Sequence, residues 1–215
     1  MNAVIFDMDG VLLDSEPLHA QADREMLGRL GIEVEPGYLD RFVGVTAPVM
    51  WAEILDEKRV SADLGELLNA SLSIKLKLLK KGDYAPIEGV VPLLAELYRK
   101  HVPVVIASSS PGIFIKEAVK KLGISRYVRD WVSAESVPKS KPEPDVFLKA
   151  AERLELGPEQ CVVIEDSTNG VLAARRAGMK CVGFRNPNSG NQDVSKADLV
   201  VGSMAEVTFE ALKKL

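Results

Sequence analysis

The chain has 215 residues, of which 47% are hydrophobic and 27% are charged, and its formal net charge is −4. This composition is typical of a globular protein with one sizeable domain, with or without an insertion. The acidic balance and the absence of a basic stripe exclude nucleic acid as an expected partner, and no apolar stretch approaches the roughly 20 residues that span a bilayer.

The start of the chain contains no signal-peptide pattern, because Asp7 and Asp9 interrupt its apolar run. We therefore expect a cytoplasmic protein, and a monomer is the default expectation. The two cysteines, Cys161 and Cys181, each lie inside an apolar run. They are predicted to be buried free thiols rather than a disulfide or a metal pair.

The opening run, residues 3–6, ends at an acid that is followed by a second acid and a glycine. A run this short and β-branched predicts a buried strand. Asp7 and Asp9 lie two residues apart at its end, so both carboxylates can face one reacting group, and Gly10 permits a sharp turn. A plain turn is one alternative. A calcium loop is disfavoured because residues 11–13 (Val-Leu-Leu) supply no side-chain ligands.

The next segment has helical apolar spacing and no convincing strand, which predicts a helical insertion. The predicted helices cover residues 16–30, a patch from Pro36 to Phe42, residues 48–55 with Thr46 as N-cap, and residues 61–80 as one helix or a pair. The alternation of Leu and Lys at residues 74–81 is interpreted as a solvated helix face.

From Pro86 onward, strands alternate with helices. Predicted strands are residues 103–107, 131–133, 161–164, 180–184 and 198–201, and predicted helices are residues 90–100, 112–122, 143–155 and 169–177 with one more at the end. Nearly continuous apolar strands between helices predict an α/β fold. We expect a Rossmann-like parallel sheet with helices on both faces, plus the inserted all-helical segment.

Polar side chains follow three of the predicted strands at the point where each strand ends. They are Asp7 and Asp9, then Ser108, then Glu165 and Asp166, and Lys141 lies in a loop that could reach the same edge. Ligands of open parallel sheets bind outside the carboxyl ends of the strands, so we expect these side chains to converge. Clustered acids repel one another, which makes a purely stabilising role a poor explanation.

These residue types suit phosphoryl transfer. Three carboxylates favour Mg²⁺, and a lysine with a hydroxyl beside a helix N-terminus favours a phosphate. We predict that Lys141, Ser108 and Ser109 bind the phosphate, since backbone N–H groups near residues 109–110 can join them. Metal and lysine together offset the repulsion between a carboxylate and a phosphate. Asp7 can then act as nucleophile, and Asp9 can protonate the leaving alcohol and later activate water.

The motifs resemble those of a known family. Asp7-Met8-Asp9-Gly10, Ser108, Lys141-Pro142 and Glu165-Asp166-Ser167 resemble, in this order, the four motifs of the haloacid dehalogenase superfamily of phosphotransferases. The resemblance covers essentially the whole chain. The insertion resembles the helical cap of the subgroup that contains β-phosphoglucomutase and sugar-phosphate phosphatases.

The resemblance implies a domain division and a metal site. Residues 1–14 and 83–215 would form the catalytic core and residues 15–82 a cap, which closes over the site through hinges near residues 14–15 and 81–83. Mg²⁺, with Mn²⁺ or Co²⁺ as substitutes, would be bound by Asp7, the backbone carbonyl of Asp9 and Asp166, with Glu165 assisting. The candidate substrate contacts in the cap are His19, Thr46 and Trp51. His19 is expected to contact Asp9 or the leaving group, with solvent exposure as the alternative, and for Trp51 packing in the cap core is favoured over contact with substrate.

Two departures separate the chain from β-phosphoglucomutases. In those enzymes an arginine follows the cap-loop Gly-Val-Ser, whereas here Gly44-Val45-Thr46 is followed by Ala47, and Ser110-Pro111-Gly112 replaces their Ser-Lys-Asn. Both changes remove contacts to a second phosphate. We therefore expect a Mg²⁺-dependent phosphatase that acts on small sugar or polyol phosphates, with β-phosphoglucomutase as the alternative.

Two other classes fit less well. The dehalogenases of the superfamily resemble the chain at Asp7 but lack the second acid, Asp9. Receiver domains accept a phosphoryl group on an aspartate for signalling, but they are shorter and carry no helical insertion after the nucleophile strand.

Overall fold

A parallel six-stranded sheet organises the protein, which a computed structural model describes over residues 1–42 and 45–215. The strands are β1 (Ala3–Phe6), β2 (Val104–Ser108), β3 (Asp130–Ser133), β4 (Cys161–Glu165), β5 (Lys180–Phe184) and β6 (Leu199–Val201). Their spatial order is β3-β2-β1-β4-β5-β6, with β1 paired in parallel with both β2 and β4. The order reverses beside β1, and ligands of open α/β sheets bind at such a reversal.

Helices cover both faces of this sheet. The helices outside the insertion are α4 (Val90–Arg99), α5 (Gly112–Lys121), α6 (Asp145–Arg153), α7 (Thr168–Arg176) and α8 (Phe209–Lys213). Successive strand residues point to opposite faces, so in β1 Val4 and Phe6 pack with α4, α5 and α8, whereas Ala3 and Ile5 pack with α6 and α7. Burial on both faces explains why β1 is apolar throughout. The predicted Rossmann-like α/β fold is confirmed.

A separate helical layer lies between β1 and β2 in sequence. It comprises α1 (Glu16–Arg29), a short 3₁₀ helix (Tyr38–Phe42), α2 (Ala47–Lys58) and α3 (Leu64–Lys81). Most of its buried apolar side chains, which include Met26, Trp51 and Ile74, form a cluster of their own, whereas Leu18 and Leu79 pack in the cluster on one face of the sheet. We call residues 15–82 the helical insertion.

Most of the predicted elements lie within a few residues of their observed bounds, and two differences are informative. The segment predicted as one helix or a pair is the single helix α3, which begins sharply because the carboxylate of Asp63 accepts a hydrogen bond from the amide of Glu66 at 2.8 Å. The interpretation of residues 74–81 as a solvated face is wrong at Lys75. Its side chain is only 13% exposed and forms an ion pair with Asp23 on α1.

Trp51 packs in the core of the insertion. Its side chain is fully buried in the apolar cluster there, so the favoured prediction of core packing is confirmed and the alternative of contact with substrate is wrong. The periodicity of α2 places Trp51 on the same face as Ile54, toward α1 and α3, because residues three apart share a helix face. Cys161 and Cys181 are buried free thiols, as predicted. In the part of the chain that the structure describes, no helix has both the length and the apolar character that a membrane span requires.

We predict that Trp51→Ala lowers the free energy of unfolding by about 3–5 kcal/mol, because it leaves a cavity in the insertion. Val49 lies on the same helix and is 51% exposed, so Val49→Ala is the matched control and should cost less than about 0.5 kcal/mol. Urea denaturation followed by circular dichroism measures both. Equal losses for the two variants would contradict the burial of Trp51.

Candidate active site

A buried lysine joins two of the strand-end carboxylates. Lys141 lies in the loop before α6, and its Nζ donates hydrogen bonds to Asp7 Oδ1 at 2.6 Å, Glu165 Oε1 at 2.7 Å and the carbonyl of Ala107 at 3.2 Å. Burial acts to lower the pKa of Lys141, but the negative charges of Asp7 and Glu165 outweigh this and raise it. Lys141 is therefore held as an ammonium ion beside the carboxyl ends of β1, β2 and β4.

Glu165 fixes the chain where β4 leads into α7. Its Oε2 accepts hydrogen bonds at 2.9 Å from the amides of Asp166 and Ser167 and from the Ser167 hydroxyl. A Cβ at Gly170 would collide with the Glu165 carboxylate, so only glycine allows α7 to pass this close. Both carboxylate oxygens of Glu165 are thus engaged, which makes its main role the positioning of Lys141 and of the loop after β4.

Three buried carboxylates form a group that could hold a cation. Oxygen atoms of Asp7, Glu165 and Asp166 all lie within 4.8 Å of one another. Burial raises the pKa of Asp7 and of Asp166 well above the usual range, and neighbouring carboxylates raise each further. Carboxylate oxygens are the donors that Mg²⁺ prefers. Because Glu165 is already engaged, Asp7 and Asp166 have the free lone pairs for a metal ion.

Side chains of the loop after β5 form hydrogen bonds to Asp166 and to the backbone near Asp9. The hydroxyl of Ser189 donates a hydrogen bond to Asp166 Oδ2, and Asn186 Nδ2 donates to the carbonyl of Gly10 at 2.9 Å. Gly10 has a φ of +76°, and a Cβ there would collide with Asp166. Ser189 and Asn186 are not among the predicted site residues, although they too follow a strand, β5, at the same edge of the sheet, and this position is the signal that identifies them.

The carboxylate of Asp9 is not part of this group of three and has four hydrogen-bonding side chains around it. Ser15 Oγ donates to Oδ1 at 2.7 Å and His19 Nε2 lies 2.9 Å from the same oxygen, while Ser108 Oγ and Ser110 Oγ donate to Oδ2 at 3.0 and 2.7 Å. Burial acts to raise the pKa of Asp9, but the hydrogen bond and charge of His19 and the serine hydroxyls lower it overall. Asp9 is thus held as a carboxylate between the insertion and the core.

The serines at the end of β2 and directly after it have different surroundings. Ser108 is fully buried and does not line the cavity, and its hydroxyl serves Asp9. Ser109 lines the cavity, and its hydroxyl has no hydrogen-bond partner among the described residues. Of the two serines predicted to bind phosphate, Ser109 is therefore the one that lines the cavity and whose hydroxyl is not engaged by the described residues.

A cavity of about 860 Å³ lies between the sheet edge and the helical insertion. This volume is within the range of roughly 300–1,000 Å³ typical of small-molecule sites. His19 and Thr46 line it, as do Asp7 and Lys141, whereas Trp51 does not. Gly44, part of the predicted cap loop, lies outside the described residues.

A sequence model of the haloacid dehalogenase-like hydrolases matches residues 4–184. The chain belongs to this family. The match spans all four motifs and confirms the resemblance on which the sequence prediction of a phosphoric monoester hydrolase depended.

Curated relatives place the chain in the β-phosphoglucomutase-like subgroup. It is 31% identical to the fructose-1-phosphate phosphatase YqaB of Escherichia coli, over 85% of this chain and 95% of that protein. It is 30% identical to the β-phosphoglucomutase of Bacillus subtilis, over 99% of this chain and 94% of that protein. The crystal structure of CbbY from Rhodobacter sphaeroides in complex with phosphate has the same fold, with a TM-score of 0.92 at 23% identity over 99% of both chains.

We predict opposite effects for the same substitution in two helices. Gly170→Ala should lower the free energy of unfolding by about 1–3 kcal/mol, because the new Cβ displaces the Glu165 carboxylate. Gly28 lies in α1, where an added Cβ would meet nothing within 4 Å, so Gly28→Ala should raise the free energy by up to about 1 kcal/mol through helix propensity. Thermal and urea unfolding measure both, and a neutral Gly170→Ala would contradict the close packing at Glu165.

Proposed function

We propose that the protein is a Mg²⁺-dependent phosphatase that hydrolyses small phosphorylated carbohydrates through an aspartyl-phosphate on Asp7. The observation that carries the proposal is the position of Asp7. Its carboxylate lies at the cavity wall, 2.6 Å from Lys141 Nζ and within the carboxylate group that fits a hard cation. When a metal ion is bound, a phosphate dianion that approaches Asp7 lies beside two positively charged groups, the metal ion and the Lys141 ammonium.

The proposed metal ligands are Asp7 and Asp166, together with the backbone carbonyl of Asp9, and Glu165 supports them. Bound Mg²⁺ supplies charge that offsets the repulsion between the Asp7 carboxylate and the phosphate and stabilises the transition state. Lys141 contributes a second positive charge from the protein itself, and the Ser109 hydroxyl is available for a phosphate oxygen.

The proposed reaction has two steps. In the first, an oxygen of Asp7 forms a bond to phosphorus, the bond from phosphorus to the ester oxygen breaks, and Asp9 gives that oxygen a proton. In the second, Asp9 takes a proton from water, the water oxygen attacks phosphorus, and the acyl-phosphate bond to Asp7 breaks. His19, 2.9 Å from Asp9 Oδ1, would exchange the proton with Asp9, which otherwise favours its ionised form.

The substrate class rests on the relatives and on the cavity. The curated relatives include a fructose-1-phosphate phosphatase and a β-phosphoglucomutase, and a mutase must also bind a second phosphate. The lysines that line the described part of the cavity are Lys75 and Lys141, and each is already paired with a carboxylate. Ala47, where the mutases carry arginine, also lines the cavity. These observations favour hydrolysis over isomerisation.

We further propose that residues 15–82 act as a cap on a core formed by residues 1–14 and 83–215, and that closure excludes water from Asp7. The separate apolar cluster of the insertion supports this division. Cytoplasmic location and a monomeric state stay predictions from the sequence.

The first experiment measures phosphate release with Mg²⁺ from hexose 6-phosphates, tetrose and pentose phosphates, phosphoglycolate and β-glucose 1-phosphate. Asp7→Asn should abolish release and the acid-stable label that a radioactive phosphoryl group leaves on the protein, because it removes the nucleophile. Asp9→Asn should reduce turnover by at least about 10²-fold through loss of acid–base catalysis. Asp130→Asn, which changes an exposed ion pair with Arg153, is the control and should retain activity.

Two outcomes would overturn the proposal. Full activity of Asp7→Asn would exclude the covalent route. Conversion of β-glucose 1-phosphate to glucose 6-phosphate faster than phosphate release, in the presence of a trace of bisphosphate, would show that the protein is a mutase.

The metal assignment generates a further prediction. Ser189→Ala removes the hydroxyl that orients Asp166 and should weaken Mg²⁺ binding by about tenfold, as is usual for partners of metal ligands. Calorimetric titration of Mg²⁺ without substrate measures this independently of turnover. Ser195→Ala, at an exposed position later in the same loop, is the control, and equal affinities for both variants would contradict the role of Ser189.

A further inference from the structure

The wall of the cavity formed by the helical insertion carries a polar cluster that the phosphoryl-transfer chemistry does not use. Asp23 on α1 and Lys75 on α3 form an ion pair, with Lys75 Nζ 3.1 Å from Asp23 Oδ1. Ser71 lies one helical turn before Lys75. All three residues line the cavity, and we call them the Asp23–Lys75–Ser71 cluster.

This cluster has hydrogen-bonding capacity that the described protein does not satisfy. Ser71 is only 2% exposed, and its hydroxyl has no partner among the residues that the structure describes. Within the same described residues, Asp23 Oδ1 receives no hydrogen bond of ordinary geometry despite its ionic contact with Lys75. Leaving buried polar groups without partners is costly. Because both residues line the cavity, a molecule bound there can supply the missing partners.

The charges of the cluster indicate what kind of occupant fits. The ammonium of Lys75 is balanced by Asp23, and Glu16 lines the cavity from the same helix as Asp23. A carboxylate or phosphate at this wall would therefore face two carboxylates and one neutralised lysine. Hydroxyl groups fit better, because they donate to a carboxylate oxygen, accept from an ammonium group and do either with a serine.

We propose that the Asp23–Lys75–Ser71 cluster recognises the uncharged, hydroxyl-bearing end of the phosphate ester. It selects monophosphates of polyhydroxylated compounds and rejects esters whose far end carries a carboxylate or a second phosphate. The proposal rests on the proposed phosphatase activity and specifies its substrate class. Selection of this kind combines contacts to the preferred substrate with charge repulsion against the others.

A purely structural role for the ion pair makes a different prediction. Asp23 and Lys75 also tie α1 to α3, so their loss could simply loosen the insertion. A loosened insertion would reduce activity toward all esters by a similar factor, whereas loss of recognition changes the ratio between neutral and anionic esters.

The decisive variant is Asp23→Asn, which keeps the shape of the side chain and leaves the charge of Lys75 unbalanced. We expect kcat/KM for a hexose 6-phosphate to fall about tenfold, mainly through KM, because a charged acceptor for hydroxyl groups is lost. For phosphoglycolate and for a hexose bisphosphate, kcat/KM should stay constant or rise, since the repelling carboxylate is gone. Ser71→Ala should lower kcat/KM for the hexose 6-phosphate alone, by a smaller factor.

The control is Glu25→Gln, which removes a carboxylate from the same helix. Glu25 is exposed, pairs with Arg29 at 2.8 Å and does not line the cavity. The ratio of kcat/KM for neutral esters to kcat/KM for anionic esters should therefore not change in this variant. An equal loss toward all esters in Asp23→Asn, or no change in both Asp23→Asn and Ser71→Ala, would overturn the proposal.

Calorimetric binding separates this proposal from the proposed activity. In an Asp7→Asn background, hexose 6-phosphate should bind more tightly than phosphoglycolate, and adding Asp23→Asn should reverse or abolish that preference. Binding preference without any phosphate release by the unmodified protein would refute the phosphatase activity and support the cluster. Phosphate release without a binding preference that depends on Asp23 would support the phosphatase activity and refute the role of the cluster.

Discussion

A single buried ammonium group holds the catalytic edge of the sheet together. Lys141 Nζ contacts Asp7 after β1, Ala107 in β2 and Glu165 at the end of β4, so three neighbouring strands share one positive charge. Removing one partner of a buried ion pair leaves an uncompensated charge that is strongly destabilising. The cluster nonetheless contains three carboxylates and one lysine. The remaining negative charge is the physical reason that the site suits a divalent cation and, with it, a phosphate.

The proposed chemistry and the proposed recognition involve different parts of the chain. The groups around Asp7 all come from the sheet edge, whereas the Asp23–Lys75–Ser71 cluster comes from the helical insertion. Asp9 is the point where the two parts meet, since Ser15 and His19 contact one of its oxygens and Ser108 and Ser110 contact the other. The protonation state and orientation of this carboxylate therefore depend on where the insertion sits.

The sequence predicted the location of groups better than their orientation. Asp7 and Asp166 follow apolar strands, so the geometry of parallel sheets was enough to bring them together. The same rule located Ser108 but not the direction of its hydroxyl, which depends on the packing around Asp9. The pair of Asp23 and Lys75 could not be predicted, because helical periodicity fixes the buried face of each helix but not how α1 and α3 align. For the same reason, the sequence left two roles open for Trp51, packing in the core of the insertion and contact with substrate.

The position of the insertion also affects how the chain assembles during synthesis. Val4 in β1 pairs with Val104 in β2 and with Val162 in β4, so the apolar strand β1 is made long before either neighbour. The helices of the insertion pack mainly on one another, and such local contacts form faster than distant strand pairing. On the ribosome the insertion is therefore complete while the central strand of the sheet still lacks both partners. The helical insertion, proposed above to recognise substrate, thus emerges as a compact unit before the sheet is complete, and it follows an apolar strand that is still unpaired.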